Sequence, residues 1–280
     1  VEPIILDGKK AAAEINEELK ARAARIIART GIVPVLATVI VGNDFASETY
    51  VRMKGNACKR AGIDSLKVEL PIESTTEDVV AKIRELNADG SVTGILLQHP
   101  LPGHVDEQRC FNEIDEGKDV DGVNNLSFAR NAMRLESFGS ATPLGIMTLL
   151  DRYGIEVAGR NVVIVGRSPI LGKPLSMMML NKDATVTICH SRTKDIKETT
   201  RRADILCVGI GRPKYVDETW VREGAVLVDA GYNPGNIGDT DIDRIKEKTY
   251  AYTPVPGGVG PMTIITLIGQ AITAAERYLK

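Results

Sequence analysis

A chain of 280 residues exceeds the usual size of a single core, so two compact units are expected. Hydrophobic residues at 43% and charged residues at 26% are ordinary globular composition and exclude disorder. With 35 basic against 37 acidic residues, a net charge of -2 and aromatics at only 4%, the chain has neither a basic field nor stacking platforms, and no nucleic-acid partner is expected.

The first half alternates helix and strand signals. Lys9 to Arg29 is an amphipathic run stopped by Gly31 and Pro34, and Val35 to Gly42 (VLATVIVG) is an apolar, β-rich strand. Asn43 or Asp44 can cap the next helix, which runs through SETYVRMKGNACKRA and stops at Gly62. SLKVELP follows as a short strand. TTEDVVAKIRELNAD is a helix capped by Thr75 or Thr76, and VTGILLQ is a strand ending at Gln98 before the Pro100 to Pro102 breaker. Thr142 to Gly154 reads as a helix connecting the halves.

The second half repeats the alternation through NVVIVG, PLSMMMLN, ATVTICH, a polar helix, ADILCVGIG, AVLVDAG and YAYTPVPGG. Strands separated by helices predict parallel pairing with right-handed crossovers, an α/β fold. The last helix, MTIITLIGQAITAAERYLK, is apolar nearly all round in its first part, which predicts burial and a return to the first half. The expected division is therefore 1-141 plus 262-280 as one unit and 142-261 as the other.

Cys58, Cys110, Cys189 and Cys207 form no C-x-x-C pair and read as buried free thiols of a reducing compartment. The start VEPIILDGKKAAAEI has no basic region before an apolar stretch, and no uninterrupted apolar run approaches the ~20 residues of a membrane helix. A cytoplasmic protein without a membrane partner is expected.

The strand NVVIVG runs into Gly166-Arg167-Ser168-Pro-Ile-Leu-Gly172-Lys-Pro174. A strand, tight turn and helix in this order aim free backbone N–H groups, together with the positive helix end, at one point where a pyrophosphate can bind. The pattern is G-x-S-x-x-x-G, a departure from G-x-G-x-x-G, and a glycine-rich loop without ligand is the alternative. An NAD site places an acid at the tip of the next strand to hold the ribose 2′-hydroxyl. Here that strand ends in His190-Ser191-Arg192-Thr193. A hydroxyl and a guanidinium there, with Arg167 in the turn, suit a 2′-phosphate, so NADP is expected in a Rossmann-type domain.

In the first half, Ser47, Tyr50, Val51 and Lys54 fall at i, i+3, i+4 and i+7 of one helix, so Tyr50 and Lys54 share a face. Such a lysine is ordinarily a solvated charge. Gln98, however, closes a strand at the carboxyl edge where α/β sheets place ligands, and Lys118-Asp119-Val120-Asp121-Gly122 puts a carboxylate in a tight turn. The D-x-D-G fragment is too short for a calcium loop, and no metal is expected.

Taken together, ASETYVRMKGNACKRAGI, GILLQHPLP, KDVDG, GRSPILGKP and TPVPGGVGPMT, in that order from Ile4 to the C-terminus, resemble the bifunctional methylenetetrahydrofolate dehydrogenase/cyclohydrolase family. The resemblance implies NADP-dependent oxidation of 5,10-methylenetetrahydrofolate to the methenyl form, then hydrolysis to 10-formyltetrahydrofolate. It also implies a homodimer paired through the cofactor domains, with folate in the interdomain cleft. By position, Lys54 is then the catalytic lysine, Tyr50 its aromatic partner against the folate, Gln98 the group holding the lysine and Asp121 the anchor of the pterin. Ser47 belongs to the same folate-binding face. Gly166, Arg167, Ser168, Ser191 and Arg192 contact the cofactor, Tyr232 offers it a backbone contact, and Pro256, Gly257 and Gly258 line the folate cleft.

Two features depart from the family pattern. His99 stands where leucine is common and reads as a packing substitution, and Ala141 with Leu144 replaces a cysteine and a basic residue. Three other readings stay open: a shikimate-type NADP dehydrogenase, a dehydrogenase with weak cyclohydrolase activity, and a folate- or nucleotide-binding protein without turnover.

Overall fold

The computed structural model describes residues 2–42 and 45–279, with only the backbone described for 45–50. The chain runs β1 (Ile4–Ile5), α1 (Gly8–Thr30), β2 (Val35–Val41), α2 (Phe45–Ala61), β3 (Asp64–Leu70), α3 (Thr76–Ala88), β4 (Gly94–Leu97), α4 (Glu107–Glu113), α5 (Asn125–Ala132) and α6 (Ala141–Arg152). It continues β5 (Asn161–Val165), α7 (Gly172–Asn181), β6 (Thr185–Cys189), α8 (Ile196–Thr200), β7 (Ile205–Val208), β8 (Val226–Asp229), α9 (Ile242–Ile245), β9 (Ala251–Tyr252) and α10 (Val259–Tyr278). The strands form two wholly parallel sheets, ordered β3-β2-β4 and β1-β9-β8-β7-β5-β6. Parallel strands need crossovers, and the helices between them supply these.

Two compact units result. One comprises Val1–Ala13 with Thr142–Thr263, the other Glu14–Ala141 with Ile264–Lys280. The first thirteen residues thus lie outside the unit to which the sequence assigned them. Ile4 and Ile5 pair in register with Ala251 and Tyr252, so β1 completes the edge of the six-stranded sheet. Two residues carry too little pattern for such a pairing to be read from sequence.

In the three-stranded unit, β2 and β4 bury every residue from Leu36 to Val41 and from Gly94 to Leu97. Helix α3 covers them with Val79, Val80, Ile83 and Leu86. Its start is a capping box: Thr75 accepts from the Asp78 N–H, and Asp78 accepts from the Thr75 N–H at 2.8 Å. Such a cap stabilises the helix by about 1 kcal/mol. Helix α10 is long and apolar enough to cross a membrane by length and composition alone. Its Met262, Ile268, Ala271, Ile272 and Ala275 are fully buried, as in the core helix of a globular fold.

The six-stranded unit packs Val163, Val165, Leu206, Val208 and Leu227 against Trp220, Val221 and Ile245. Strand β5 has β6 on one side and β7 on the other, so the direction of strand succession reverses there. That reversal opens a crevice at the carboxyl ends, the general ligand position of such sheets. All four cysteines are buried and free.

Candidate functional site

Lys54 projects from the apolar stripe of its own helix. Val51, Cys58 and Ala61 are buried, and Lys54 lies three residues after Val51 and four before Cys58, so its stem shares their face and is half-buried. Its Nζ donates to Gln98 Oε1 at 2.9 Å. Gln98 is itself held twice, its backbone N–H donating to the Val39 carbonyl and its Nε2 to the His99 carbonyl, at 2.8 and 2.9 Å. The second bond fixes the amide so that its oxygen, a neutral acceptor, faces the lysine. Burial lowers the Lys54 pKa from its ordinary value, and the charge of Asp121 opposes that shift.

The Lys118–Gly122 turn lies along β4, where Asp119 bridges Ile95 in parallel. Its residues divide into scaffold and site. Lys118 is buried and donates to the carbonyls of Leu86, Asn87 and Asp89 at 3.1, 2.9 and 2.7 Å, closing the C-terminus of α3. Asp119, fully buried, accepts from the N–H groups of Val123 and Asn124 and from Ser127 Oγ at 3.1, 3.0 and 2.6 Å. Asp121 is the carboxylate left for chemistry. Burial pushes its pKa up to about 6, against the pull of Lys54 and His99. Gln270 secures the turn from α10, donating to the carbonyls of Val120 and Gly139 at 2.8 Å and accepting from the Gly139 N–H at 2.9 Å.

His99 packs its ring beside buried Phe111, centroids 6.4 Å apart, and adds a polar contact. Its ring is 43% exposed, and its Nδ1 pairs with Glu107 Oε2 at 2.8 Å, an oxygen that also accepts from the Leu101 N–H. A polar pair therefore stands beside Gln98. Ala141 is buried and its N–H donates to the Asp121 carbonyl at 3.1 Å. Nothing in the structure explains the Leu144 substitution. The structure thus brings Lys54, Gln98 and Asp121 together in one unit. The side chains of Ser47 and Tyr50, and the proposed caps Asn43 and Asp44, lie outside the described residues.

The second constellation belongs to the other unit. Gly166 leaves β5 with φ +128°, and a Cβ there would sit 2.4 Å from the Gly209 carbonyl oxygen. A Cβ on Gly172 would sit 2.1 Å from the Gly166 carbonyl oxygen. The turn therefore closes only with glycine at both positions. Between them, Ser168 Oγ accepts from the Ile170 N–H, and the Ser168 carbonyl accepts from the Lys173 N–H, at 3.2 and 3.1 Å. Helix α7 starts without a side-chain cap; the Lys173 N–H is taken by Ser168 and Pro174 has none, so the Gly172 N–H and the positive helix end are what it offers an anion.

Val165 and Cys189 are register partners, so the Gly166 turn and the tip of β6 emerge side by side at one edge. At that tip the His190 N–H donates to Thr193 Oγ1 at 2.8 Å and the Arg192 N–H to His190 Nδ1 at 3.1 Å, a turn that leaves Ser191 and Arg192 exposed. The crevice floor is apolar, with Ile146, Leu171, Leu175, Val208 and Ala230. A glycine-tight turn, an uncapped helix start and an acid-free tip bearing hydroxyl and guanidinium suit a dinucleotide with a 2′-phosphate.

Tyr232 is exposed on the loop after β8. Pro256 follows a cis peptide bond, and Gly257 accepts from the Lys9 N–H at 3.0 Å, so this turn packs on the start of α1. Sequence reasoning missed Gln270 and Glu107. Glutamine amid the apolar run TLIGQAITAA was the available signal for the first; nothing marked the second.

Residues 6–121 match the catalytic domain of tetrahydrofolate dehydrogenase/cyclohydrolase, and residues 140–279 match its NAD(P)-binding domain. A bifunctional protein FolD of Cellvibrio japonicus is 54% identical over 277 residues, 99% of each chain. The crystal structure of the bifunctional FolD methylenetetrahydrofolate dehydrogenase/cyclohydrolase of Campylobacter jejuni superposes with a TM-score of 0.95 at 41% identity, covering 98% of both chains. That of the Trypanosoma brucei dehydrogenase-cyclohydrolase, complexed with NADP cofactor and inhibitor, does so at 0.95 and 33% identity, covering 99% of this chain and 98% of that one. A shikimate dehydrogenase of Aquifex aeolicus, at 13% identity and a TM-score of 0.56, shares the fold alone. The chain belongs to the tetrahydrofolate dehydrogenase/cyclohydrolase family.

Proposed function

We propose that this chain oxidises 5,10-methylenetetrahydrofolate with NADP and then hydrolyses the methenyl product to 10-formyltetrahydrofolate, with Lys54 as the catalytic residue of the hydrolytic step. NADP, when bound, accepts the hydride that leaves the bridging carbon. Positive charge then spreads over the two flanking nitrogens, so this step needs alignment and no strong base.

Hydrolysis does need proton transfers. Water oxygen bonds to the bridging carbon as Lys54 Nζ removes its proton. The bond from that carbon to one ring nitrogen then breaks, its electron pair staying on the nitrogen, which takes up a proton, while the new hydroxyl loses its proton to become the formyl carbonyl. An ordinary lysine, with a pKa near 10.4, is a poor base at neutral pH. Burial lowers that value here, and Gln98 accepts from Nζ without adding the negative charge that would restore it. The bond between Lys54 and a neutral, doubly anchored amide is the observation that carries the reading.

In the same proposal Asp121 anchors the pterin by accepting its N–H groups, Ser47 and Tyr50 bind folate from α2, and Pro256, Gly257 and Gly258 line the folate site. Gly166, Arg167, Ser168, Ser191 and Arg192 hold the cofactor's phosphates, and Tyr232 supplies a backbone contact. Two copies pair through their cofactor units. Among the described residues β6 is an edge strand with one side unpaired, which supports such pairing.

The test is Lys54→Met. Hydrolysis of methenyltetrahydrofolate, followed by loss of its absorbance, should disappear while NADPH formation from methylenetetrahydrofolate persists and the methenyl product accumulates. Near-normal hydrolysis would remove Lys54 from the mechanism.

A further inference from the structure

Two buried carboxylates behind the cofactor crevice make no contact that the reaction requires. Asp239 is fully buried, and its Oδ2 accepts from the N–H groups of Ile210 and Gly211 at 2.6 and 2.9 Å. Its Oδ1 accepts from the Arg212 N–H at 2.8 Å and from Asn233 Nδ2 at 2.9 Å. Three consecutive amides converging on one carboxylate form an anion nest filled from within the chain. Asp229, the last residue of β8, repeats the device. Its Oδ1 accepts from the N–H groups of Gly231 and Asp239 at 2.9 and 3.1 Å, and its Oδ2 from the Thr240 N–H and Oγ1 at 2.8 and 2.7 Å.

The packing leaves no slack. A Cβ on Gly231 would lie 2.2 Å from Asp239 Cγ, and one on Gly238 would lie 2.2 Å from Asp229 Oδ2. The residues these carboxylates hold adjoin the crevice. Gly209, next to Ile210, lines it and is the residue against which Gly166 closes; Ala230, between Asp229 and Gly231, lines it too. The wall facing the Gly166 turn is thus shaped by hydrogen bonds to side chains buried behind it.

We propose that Asp239 is a positioning residue for the cofactor, its carboxylate holding the Ile210–Arg212 amides and Asn233 so that the crevice wall at Gly209 and Ala230 is preformed for NADP. The proposal rests on the reading that NADP occupies the crevice at Gly166. Asparagine is the sharpest substitution. It keeps the volume but offers one acceptor oxygen in place of two, and its amide N–H groups face the N–H donors of the nest. The loop then rearranges, and the free energy of ordering it is taken from binding.

In Asp239→Asn, titration calorimetry with NADP should give a dissociation constant raised at least about tenfold. Amide hydrogen exchange at Ile210, Gly211 and Arg212 in the cofactor-free protein should quicken. Hydrolysis of methenyltetrahydrofolate without NADP should stay within twofold, because Lys54, Gln98 and Asp121 belong to the other unit. If Asp239→Asn does not fold, Asn233→Ala, which removes one of the four bonds, decides with a smaller loss of NADP affinity and the same sparing of hydrolysis. Unchanged NADP affinity, or an equal fall in both activities, overturns the proposal. Gly166→Ala separates it from the underlying reading. If Gly166→Ala weakens NADP binding and Asp239→Asn does not, only the role of Asp239 falls; if Gly166→Ala has no effect, the crevice assignment falls with it.

Discussion

Replacing Gln98 by glutamate would put a carboxylate oxygen where the amide oxygen now accepts from Lys54 Nζ at 2.9 Å. The side chains are nearly the same size, so the perturbation is one of charge. At an effective dielectric constant of about 20, unit charges at that separation attract by about 6 kcal/mol. Desolvation of the new carboxylate offsets much of this, since position 98 is only 9% exposed. A rise of about 1–3 units in the lysine pKa is the realistic outcome, at about 1.36 kcal/mol per unit. The neutral fraction of Lys54 at pH 7 then falls about ten- to a thousandfold, and hydrolysis with it. Its dependence on pH should move to higher pH by the same 1–3 units. NADP-dependent oxidation, which needs no base, should fall far less. The assay follows methenyltetrahydrofolate absorbance without NADP across the pH range, and NADPH formation from methylenetetrahydrofolate alongside. Undiminished hydrolysis with an unmoved pH profile would refute a role for neutral Lys54.

Three further outcomes are expected. In His99→Leu the electrostatic pull of the ring, which opposes the raised pKa of Asp121, is gone, so that pKa should climb above about 6. The rise in folate KM on acidification should then begin at higher pH, and an unshifted KM–pH profile would disconnect the two residues. Arg192→Asp places an acid at the tip of β6, where it repels a 2′-phosphate and can accept from a free ribose hydroxyl. KM for NADP should rise at least about tenfold and that for NAD should fall, as measured with both cofactors. Gly166→Ala forces a Cβ to 2.4 Å from the Gly209 carbonyl oxygen at φ +128°, so NADP affinity should collapse while hydrolysis persists. Retained affinity would show that the turn does not bind the cofactor.

Much of the site was legible because its chemistry is local in the chain. Lys54 shares one helix face with Tyr50, and Gln98 ends an apolar strand at the ligand edge; the helix pattern alone did not set Lys54 apart from solvated lysines, and Gln98, the KDVDG turn and the family resemblance did. The Gly166–Gly172 turn and the acid-free end of β6 were readable locally, since each is a short segment whose backbone demands are set by its own residues. In KDVDG only the family resemblance pointed to Asp121; the spacing itself did not separate it from Asp119. Asp119 and Asp121 differ in role only because Val123, Asn124 and Ser127 fold back on one and leave the other beside Lys54. Short α4 and α5 carry too few residues for a periodic signal.

The alternation of strands and helices and the cofactor turn can be read from the amino-acid order, because hydrophobic period and turn chemistry act within a few residues. The folded chain sets what meets across long separations. It joined Ile4 and Ile5 to β9, seated Gln270 under the Asp121 turn, turned His99 toward Glu107 and closed the Asp239 nest around Ile210–Arg212. Those contacts depend on where remote strands end. Hydrogen-bond satisfaction in a buried environment, to which no local pattern bears witness, selects them.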